Sequence, residues 1–307
     1  MLQPYTSLVL LFAALWPVSG CRSPEAQPAP VEPAPQPAPE PGSSTPRTVA
    51  IGDLHGDLER TIMVLRLAGL VDEQGHWSGG SGVLVQTGDL LDRGDQGSET
   101  IDLLQRLQVE AEAVGGRVEV LLGNHEAMNM MGDLRYVTAG DIAGYGGVEA
   151  RKLALGPAGD DGAWLRQRPV VTRVGRTVFA HGGVTPEMAE LGIDALNAWA
   201  LAAVAGQASP EVLGDAGPMW YRGYLQFGLT DACPALERAL LSLKASRMVV
   251  GHTTQRSGEI AVRCNGALLG IDTGISAHYG AHVAALEIRG DDAWALYPSG
   301  PEDLVDP

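Results

Sequence analysis

The sequence has little positive charge and few cysteines. Its 307 residues include 21 basic and 37 acidic residues, which gives a formal net charge of −16. A surface of this charge repels nucleic acid and anionic lipid, so we exclude nucleic acid as a partner. Anionic substrates must then be held locally, by metal ions or by specific arginines. No internal repeat is visible, and a hydrophobic content of 45% is enough for a substantial core.

The apolar run near the N-terminus, residues 8–16, is too short for a comfortable membrane span and suits the core of a signal peptide. It ends at Val18-Ser19-Gly20-Cys21, which resembles a bacterial lipobox. We therefore expect residues 1–20 to be a lipoprotein signal peptide and Cys21 to be lipidated, so that the protein is exported and meets the membrane only through this anchor. Because Arg22 follows the cysteine, we expect the outer membrane. The alternative is an ordinary secretory signal in which Cys21 has no role.

Residues 21–46 read as a tether between this anchor and a folded domain. The stretch from Arg22 to Pro46 carries nine prolines, so it cannot form a core and favours an extended conformation. Beyond it, Cys233 and Cys264 are the remaining cysteines. They could pair in an oxidising compartment, but the sequence leaves open whether they come close enough. We assign residues 47–307 to one catalytic domain.

From residue 47 onward, short apolar strands alternate with helical stretches, a pattern typical of βαβ units. The apolar patterns predict the first three strands at residues 48–51, 83–86 and 118–122, and helices at residues 58–67 and 98–109. Each of the three strands is followed by a glycine and then a polar residue, at Gly52-Asp53, Gly88-Asp89 and Gly123-Asn124, with one βαβ unit between successive pairs. Parallel strands would deliver these polar groups to one rim of the sheet.

The residue types at this rim suit divalent metal ions. Asp53 and His55 are two positions apart on an extended segment, so both side chains point the same way. Two further apolar strands, at residues 178–180 and 248–250, end at His181 and His252. A lone histidine after a strand is usually a loop residue, but these two accompany the earlier cluster and are better interpreted as ligands.

Together the motifs resemble the calcineurin-like metallophosphoesterase superfamily. They are Gly52-Asp53-Leu54-His55-Gly56, Gly88-Asp89-Leu90-Leu91-Asp92-Arg93-Gly94, Gly123-Asn124-His125-Glu126, His181-Gly182-Gly183 and Gly251-His252. The Asp-Arg-Gly and Asn-His-Glu forms point to its phosphoprotein phosphatase branch. Met219-Trp220-Tyr221-Arg222-Gly223 and the stretch 124–136 resemble the bacterial Shewanella-like protein phosphatases. The resemblance implies an α/β sandwich of two mixed β-sheets flanked by helices.

The resemblance also implies a site residue by residue. Two divalent ions, Mn, Fe or Zn, would be held by Asp53, His55 and the bridging Asp89, and by Asn124, His181 and His252. Arg93 and Arg222 would clamp the phosphate, since a guanidinium pairs two phosphate oxygens. His125 would protonate the leaving oxygen, with Asp92 orienting its ring. Glu126 is expected to be structural, Tyr279 could face the site, and Met128, Met130 and Met131 are expected to pack beneath the loop.

The implied reaction is hydrolysis of phosphomonoesters by in-line attack of a hydroxide that bridges the two metals. The most favoured substrate is a phosphorylated protein, on serine, threonine or tyrosine. A diadenosine tetraphosphate hydrolase and a periplasmic phosphatase for small phosphomonoesters share this chemistry and remain alternatives. A metal-binding lipoprotein without turnover is disfavoured, because every ligand, both arginines and the Asp92–His125 pair are present.

Overall fold

The computed structural model describes residues 47–305. The signal peptide, Cys21 and the tether predicted for residues 1–46 lie outside these residues. Within the described part, no helix combines the length and the apolar character needed to cross a membrane.

The described residues form eleven strands and ten α-helices, with two short 3-10 helices at Pro210–Leu213 and Ala277–Tyr279. The strands are β1 (Thr48–Ile51), β2 (Val83–Gln86), β3 (Arg117–Val120), β4 (Val171–Val174), β5 (Thr177–Ala180), β6 (Arg247–Val250), β7 (Ala261–Arg263), β8 (Leu268–Gly270), β9 (Ala285–Arg289), β10 (Asp292–Tyr297) and β11 (Gly300–Asp303). The helices are α1 (Leu58–Leu67), α2 (Gly97–Glu112), α3 (Asn124–Met130), α4 (Ala139–Gly144), α5 (Val148–Ala154), α6 (Asp160–Leu165), α7 (Pro186–Ala189), α8 (Ile193–Val204), α9 (Gly223–Gln226) and α10 (Leu229–Leu243).

The strands build two mixed sheets. The first has the order β11-β10-β9-β1-β2-β3, in which β1, β2 and β3 are parallel and β9 to β11 are antiparallel. The second has the order β4-β5-β6-β8-β7, in which β5, β6 and β8 are parallel. The predicted sandwich of two mixed sheets is therefore confirmed.

Two layers of apolar side chains hold the fold together. One lies between the sheets and contains residues of both, among them Val85 of β2 and Phe179 of β5. The other packs the outer faces against helices, as Leu65 of α1 and Leu104 of α2 do. Because the inner faces and the outer faces are both covered, the parallel strands read as continuous apolar runs.

The first two strands and α1 have the predicted bounds. The helix predicted at residues 98–109 is longer, and the strand predicted to reach Leu122 ends at Val120. Leu122 instead donates its N–H to the carbonyl of Pro169. The prediction for Met131 is wrong, because 48% of this residue is exposed, whereas Met128 is buried.

Cys233 and Cys264 form a disulfide whose Cα atoms are 5.4 Å apart. It joins α10 to the turn between β7 and β8. The pairing that the sequence left open is therefore present.

Candidate active site

The ends of the parallel strands meet at one rim of the sandwich. The loop after β1 is bound to the loop after β2, because the N–H groups of Leu54 and His55 both donate to the carbonyl of Asp89, at 2.9 Å each. Across the sandwich, the N–H of His252 donates to the carboxylate of Asp53 at 3.2 Å. The rim is thus one hydrogen-bonded unit that takes side chains from both sheets.

The backbone at this rim is held in an uncommon conformation. His55, Asp89, Asp92, Arg93 and His252 all have positive φ, between 47° and 70°. The left-handed region costs a residue with a Cβ roughly 1–2 kcal/mol, and such residues cluster at functional sites. The packing of the surrounding loops therefore fixes where these five side chains point.

Two glycines allow the loops after β2 and β3 to touch. A Cβ on Gly88 would clash with the backbone nitrogen of Gly123, and a Cβ on Gly123 would clash with the carboxylate of Asp89. Gly88 also has a φ of 98°, which favours glycine. A glycine is therefore required after β2 and after β3 because the two loops approach each other closely, and at Gly88 also because of the turn.

A first group of predicted ligands comes together around His55. Its Nε2 lies 3.9 Å from Oδ2 of Asp53 and 3.7 Å from Oδ2 of Asp89. The other ring nitrogen, Nδ1, lies 3.1 Å from the carbonyl oxygen of Leu91, to which it must donate. This hydrogen bond leaves Nε2 as the unprotonated nitrogen, the arrangement common in metal-binding histidines.

A second group surrounds His181. Its Nδ1 donates to the carbonyl of Thr87 at 2.9 Å, which leaves Nε2 as the nitrogen that faces the other predicted ligands. That Nε2 faces Oδ1 of Asn124 at 2.9 Å and Oδ2 of Asp89 at 3.2 Å, and both of these oxygens are acceptors. Nε2 of His252 is buried, and no described residue offers it a hydrogen bond. A cation bound between these groups would be coordinated by several of them at once.

Protonation of the ligands also fits a metal centre. Burial lowers the pKa of His55 to about 4, and burial together with His181 and Arg222 lowers the pKa of His252 to about 2. Both imidazoles are therefore neutral at pH 7, in the form that binds metals. Burial, with the neighbouring carboxylates of Asp272 and Asp89, raises the pKa of Asp53 well above its ordinary value.

This excess of buried negative charge is what bound cations would neutralise. Two ligand groups can each hold an ion, and Asp89 belongs to both. One contains His55, Asp89 and His125, and the other contains Asp89, His181 and His252. The first group differs from the predicted ligand set, in which Asp53 and not His125 accompanies His55; the carboxylate of Asp53 lies 3.9 Å from Nε2 of His55. The expected cofactor of two divalent ions therefore fits these residues, while the choice among Mn, Fe and Zn stays a prediction.

Beside these groups, His125 and Asp92 form a buried pair. Nδ1 of His125 lies 2.7 Å from Oδ2 of Asp92, and the N–H of His125 donates to Asp89 at 3.0 Å. Burial lowers the pKa of His125, but the charges of Asp89 and Asp92 outweigh it and raise the pKa above the ordinary value. The structure thus brings together a histidine whose pKa is raised and the carboxylate that orients it.

Comparison with known proteins agrees with this geometry. The family model described as calcineurin-like phosphoesterase matches residues 46–256. The chain belongs to the calcineurin-like phosphoesterase family. It is therefore a metal-dependent phosphoesterase, as the sequence predicted.

Several relatives of this phosphoesterase cover most of its length. Shewanella-like protein phosphatase 2 of Arabidopsis thaliana is 33% identical over 306 residues, which cover 83% of this chain and 78% of the relative. An uncharacterised protein of Schizosaccharomyces pombe is 39% identical, covering 79% and 77%. Among solved structures, the cold-active protein-tyrosine phosphatase of a psychrophilic Shewanella species superposes with a TM-score of 0.75 at 28% identity, covering 85% of this chain and 80% of that one.

The two arginines predicted to clamp phosphate each lie beside a different histidine of the phosphoesterase site. Arg93 lies over the ring of Tyr136, with its guanidinium carbon 3.8 Å from the ring centroid. Its Nε is buried, and no hydrogen-bond partner for it occurs among residues 47–305. Arg222 donates to the carbonyl of His252. Each guanidinium thus lies beside a different histidine of the site, Arg93 near His125 through Tyr136 and Arg222 at His252.

Aromatic rings border the site. Tyr279 lies 4.8 Å from the ring of His55, and Tyr136 lies 5.1 Å from the ring of His125. Trp220 lies 5.7 Å from the ring of His252. Tyr279 therefore lies beside the predicted metal ligand His55, in line with the expectation that it could face the site. Tyr224 is instead a core residue, because it is buried and its hydroxyl donates to the carbonyl of Val184.

Sequence reasoning missed Asp272 as part of the site. Only 2% of this residue is exposed, and its charge raises the pKa of Asp53. Its hydrogen bonds come from Thr254 and from the N–H of Gly274. It follows β8, but Ile271 separates it from Gly270, so the glycine-then-acid pattern seen after β1 and β2 does not extend to it.

Sequence reasoning also missed a buried network behind the Asp92–His125 pair. The amide of Asn129 donates to Oδ1 of Asp92 at 2.9 Å and accepts from Arg151 at 2.8 Å. Arg151 in turn donates to Asp141 at 2.6 Å. Asn129, on α3, lies in the stretch 124–136 that carries the family resemblance, but that resemblance gave it no role, and Arg151, on α5, has no motif around it. The network restrains the rotation of Asp92 and so of His125.

Proposed function

We propose that this phosphoesterase is a protein phosphatase that prefers phosphotyrosine over phosphoserine and phosphothreonine. The observation that carries the proposal is the pair of tyrosines at the site, with Tyr136 packed on Arg93 and His125 and Tyr279 packed on His55. An aryl phosphate ester presents a flat ring next to its phosphorus, and aromatic rings favour contact with such a ring. An alkyl phosphate ester lacks this surface.

The names of similar proteins support a protein substrate. Relatives that match most of the chain include Shewanella-like protein phosphatases of Arabidopsis thaliana and Plasmodium berghei. The structural neighbour from Shewanella is named a protein-tyrosine phosphatase. A symmetrical bis(5'-nucleosyl)-tetraphosphatase of Neisseria meningitidis matches only 45% of this chain. The protein phosphatases therefore give the stronger support.

In the proposed reaction, Asp53, His55 and Asp89 would hold one ion, and Asn124, His181 and His252 would complete the second site with Asp89. When bound, the ions supply positive charge for the phosphoryl oxygens and lower the pKa of a water molecule. The side chains contribute binding and proton transfer. Arg93 and Arg222 bind phosphoryl oxygens from two sides.

His125 would then give its Nε2 proton to the leaving oxygen, since its Nδ1 is held by Asp92 at 2.7 Å. Protonation matters most for a poor leaving group, such as the alkoxide of serine or threonine. A phenolate leaves more easily, so a phosphotyrosine substrate depends less on this step. The replacement His125→Asn should therefore reduce turnover of phosphoserine more than turnover of phosphotyrosine.

The test uses the full chain, stripped of metal by a chelator and then supplied with Mn, Fe, Zn or Mg separately. Initial rates are measured on two peptides of one sequence, with phosphotyrosine or phosphoserine at the same position, and on diadenosine tetraphosphate and glycerol phosphate. We expect metal-dependent turnover with the highest kcat/KM on the phosphotyrosine peptide. A higher kcat/KM on either small molecule would refute a protein phosphatase, and a preference for phosphoserine would refute the role of the tyrosines.

The variant Tyr279→Leu tests the aromatic contact itself. We expect kcat/KM to fall about 2- to 12-fold on phosphotyrosine, the equivalent of an aromatic pair, with little change on phosphoserine. Tyr297→Leu is the matched control, since this tyrosine lies on β10 and its hydroxyl accepts from the N–H of Ile260. An equal loss on both peptides would contradict the proposed selectivity.

We also propose that the protein is exported and anchored through a lipid on Cys21. The lipobox supports the anchor, and the Cys233–Cys264 disulfide supports an oxidising compartment. The native protein should enter the detergent phase of a Triton X-114 extract, whereas Cys21→Ser should remain aqueous. Detergent partitioning that is unchanged by Cys21→Ser would refute the lipid anchor.

A further inference from the structure

A second concave site lies at the far end of the helix that carries His125. His125 is in the first turn of α3, whereas Asn129 and Met130, in its last turn, line a cleft of about 740 Å³. Clefts of roughly 300–1,000 Å³ are the usual size of small-molecule sites. We refer to it as the α3–α5 cleft, because residues of α3, α4 and α5 and the segments beside them form its walls.

The walls of the α3–α5 cleft are mostly apolar and partly open to solvent. Met131, Leu134 and Val148 line it with 48, 46 and 55% of their surfaces exposed. Large apolar side chains exposed side by side in a concave surface mark a binding site more often than a chance arrangement. The shape and the lining therefore fit the apolar body of a ligand.

The charged residues that line this cleft are mostly basic, whereas the chain as a whole is acidic. Arg151, Lys152 and Arg166 line it, against a single acid, Glu149, in a protein of net charge −16. Arg151 is paired with Asp141, but the other two cations have no carboxylate partner among residues 47–305. The guanidinium of Arg166 donates only to backbone carbonyl groups, those of Leu155 and Gly162. Lys152 and Arg166 are thus available to an anion.

We propose that the α3–α5 cleft is a binding site for an amphipathic anion, with an unbranched apolar body and a single carboxylate. The apolar body would lie against Met131, Leu134 and Val148, and the carboxylate would pair with Lys152 and Arg166. The metal site differs in its lining, which combines histidines, carboxylates and arginines with the aromatic rings of Tyr136, Tyr279 and Trp220. The proposal therefore concerns a second site, independent of the substrate.

A second apolar cleft in the described part provides an internal comparison. It measures about 520 Å³, lies beside the Cys233–Cys264 disulfide, and its only charged lining residue is Glu237. An apolar anion should therefore avoid it, and an apolar cation should not. Both clefts are mainly apolar, but their charged lining residues have opposite sign. Comparing them therefore distinguishes binding selected by charge from general apolar binding.

The chain permits a direct test because it contains only two lysines, Lys152 and Lys244. Lys244 is exposed and precedes Ala245, a lining residue of the comparison cleft. The full chain is titrated with decanoate below its micellar range, and acetylation of each lysine is followed by peptide mass spectrometry. We expect saturable protection of Lys152, by at least threefold in rate, with no protection of Lys244. Equal protection of both lysines, or of neither, would overturn the proposal.

Chain length and charge then test the ligand class. Each methylene removed from the acid should raise the dissociation constant about fourfold, so octanoate should bind about 15-fold more weakly than decanoate. Decyltrimethylammonium has the same apolar body and the opposite charge, and it should not protect Lys152 at concentrations where decanoate saturates. Equal protection by the cation would show an unselective apolar surface and refute the assigned charge pairing.

Variants complete the test without touching the metal site. Lys152→Glu should weaken decanoate binding about three- to tenfold in calorimetry, and Lys244→Glu, the matched control, should leave it unchanged. Val148→Glu places a carboxylate on an exposed wall position and should weaken it as well. Thermal unfolding checks that each variant is folded, and dissociation constants within twofold of the native value in both cleft variants would overturn the proposal.

Discussion

Replacing Glu126 with glutamine should loosen the active site and lower the stability of the protein. The carboxylate of Glu126 is fully buried and accepts hydrogen bonds from four backbone N–H groups. Oε1 accepts from Leu90 and Leu91, and Oε2 accepts from Asp89 and Gly123, at 2.8–3.0 Å. One side chain thus joins the loop after β2 to the loop after β3.

The expected loss of stability follows from this arrangement. A glutamine can accept with only one oxygen, so its NH2 group must face two of the N–H donors. Two charge-assisted hydrogen bonds, at about 1.5–3 kcal/mol each, amount to about 3–6 kcal/mol. Burial and the charge of Asp89 raise the pKa of Glu126, so the surroundings disfavour its ionised form, and removing the charge offsets part of the loss. We expect a net loss of about 2–4 kcal/mol in the free energy of unfolding.

The assay is urea unfolding of the native protein, Glu126→Gln and a control. Glu119→Gln is a matched control, because Glu119 lies on the neighbouring strand β3 and makes a partly exposed ion pair with Arg117 at 3.3 Å. A surface pair of this kind contributes about 0–1 kcal/mol. Metal content and kcat, measured below the unfolding midpoint, should both fall in Glu126→Gln. A loss no larger than that of the control, with full metal content, would refute the bracing role.

Three further predictions concern other parts of the molecule. Asn129→Ala should lower kcat about 10- to 100-fold with little change in KM, since it frees Asp92, and an unchanged kcat would contradict this. Reducing the Cys233–Cys264 disulfide, whose cysteines are 31 residues apart, should cost about 3–4 kcal/mol in urea unfolding, and a shift below about 1 kcal/mol would argue against it. Burial raises the pKa of Glu287, but its hydrogen bonds to Arg47 and Arg289 outweigh burial and lower the pKa below the ordinary 4.5. The free energy of unfolding should therefore fall as the pH drops below 4.5. In Glu287→Gln this contribution to the pH dependence of stability should be missing.

The sequence predicted the parts of the fold that rest on local patterns. The apolar runs gave the bounds of β1, β2 and α1, and the glycine-and-polar pattern after each strand predicted which side chains would meet. It did so because parallel strands place their carboxyl ends at one edge, so strand order along the chain implies proximity in space. The antiparallel strands β9 to β11, which complete the first sheet, follow no such motif and were not predicted.

The residues that were missed depend on contacts between distant segments. Asn129 and Arg151 are 22 positions apart, and their hydrogen bond forms only because α3 and α5 pack near each other. The left-handed backbone of His55 and Asp89 is imposed by hydrogen bonds between loops and not by the identity of either residue. A pattern in the sequence can indicate which groups carry the chemistry, but the groups that fix their position are selected by tertiary packing.

The arrangement around α3 explains why so short a helix is central to this enzyme. Its first residue, Asn124, contacts the second metal group, the next one is the proposed proton donor, and Glu126 braces two loops. One turn later, Asn129 holds the carboxylate of Asp92. Regular helical geometry fixes the spacing and direction of successive side chains, whereas an irregular loop of the same length would not. The four roles therefore depend on one another through the helix, and a change that melts it should abolish metal binding and proton transfer together.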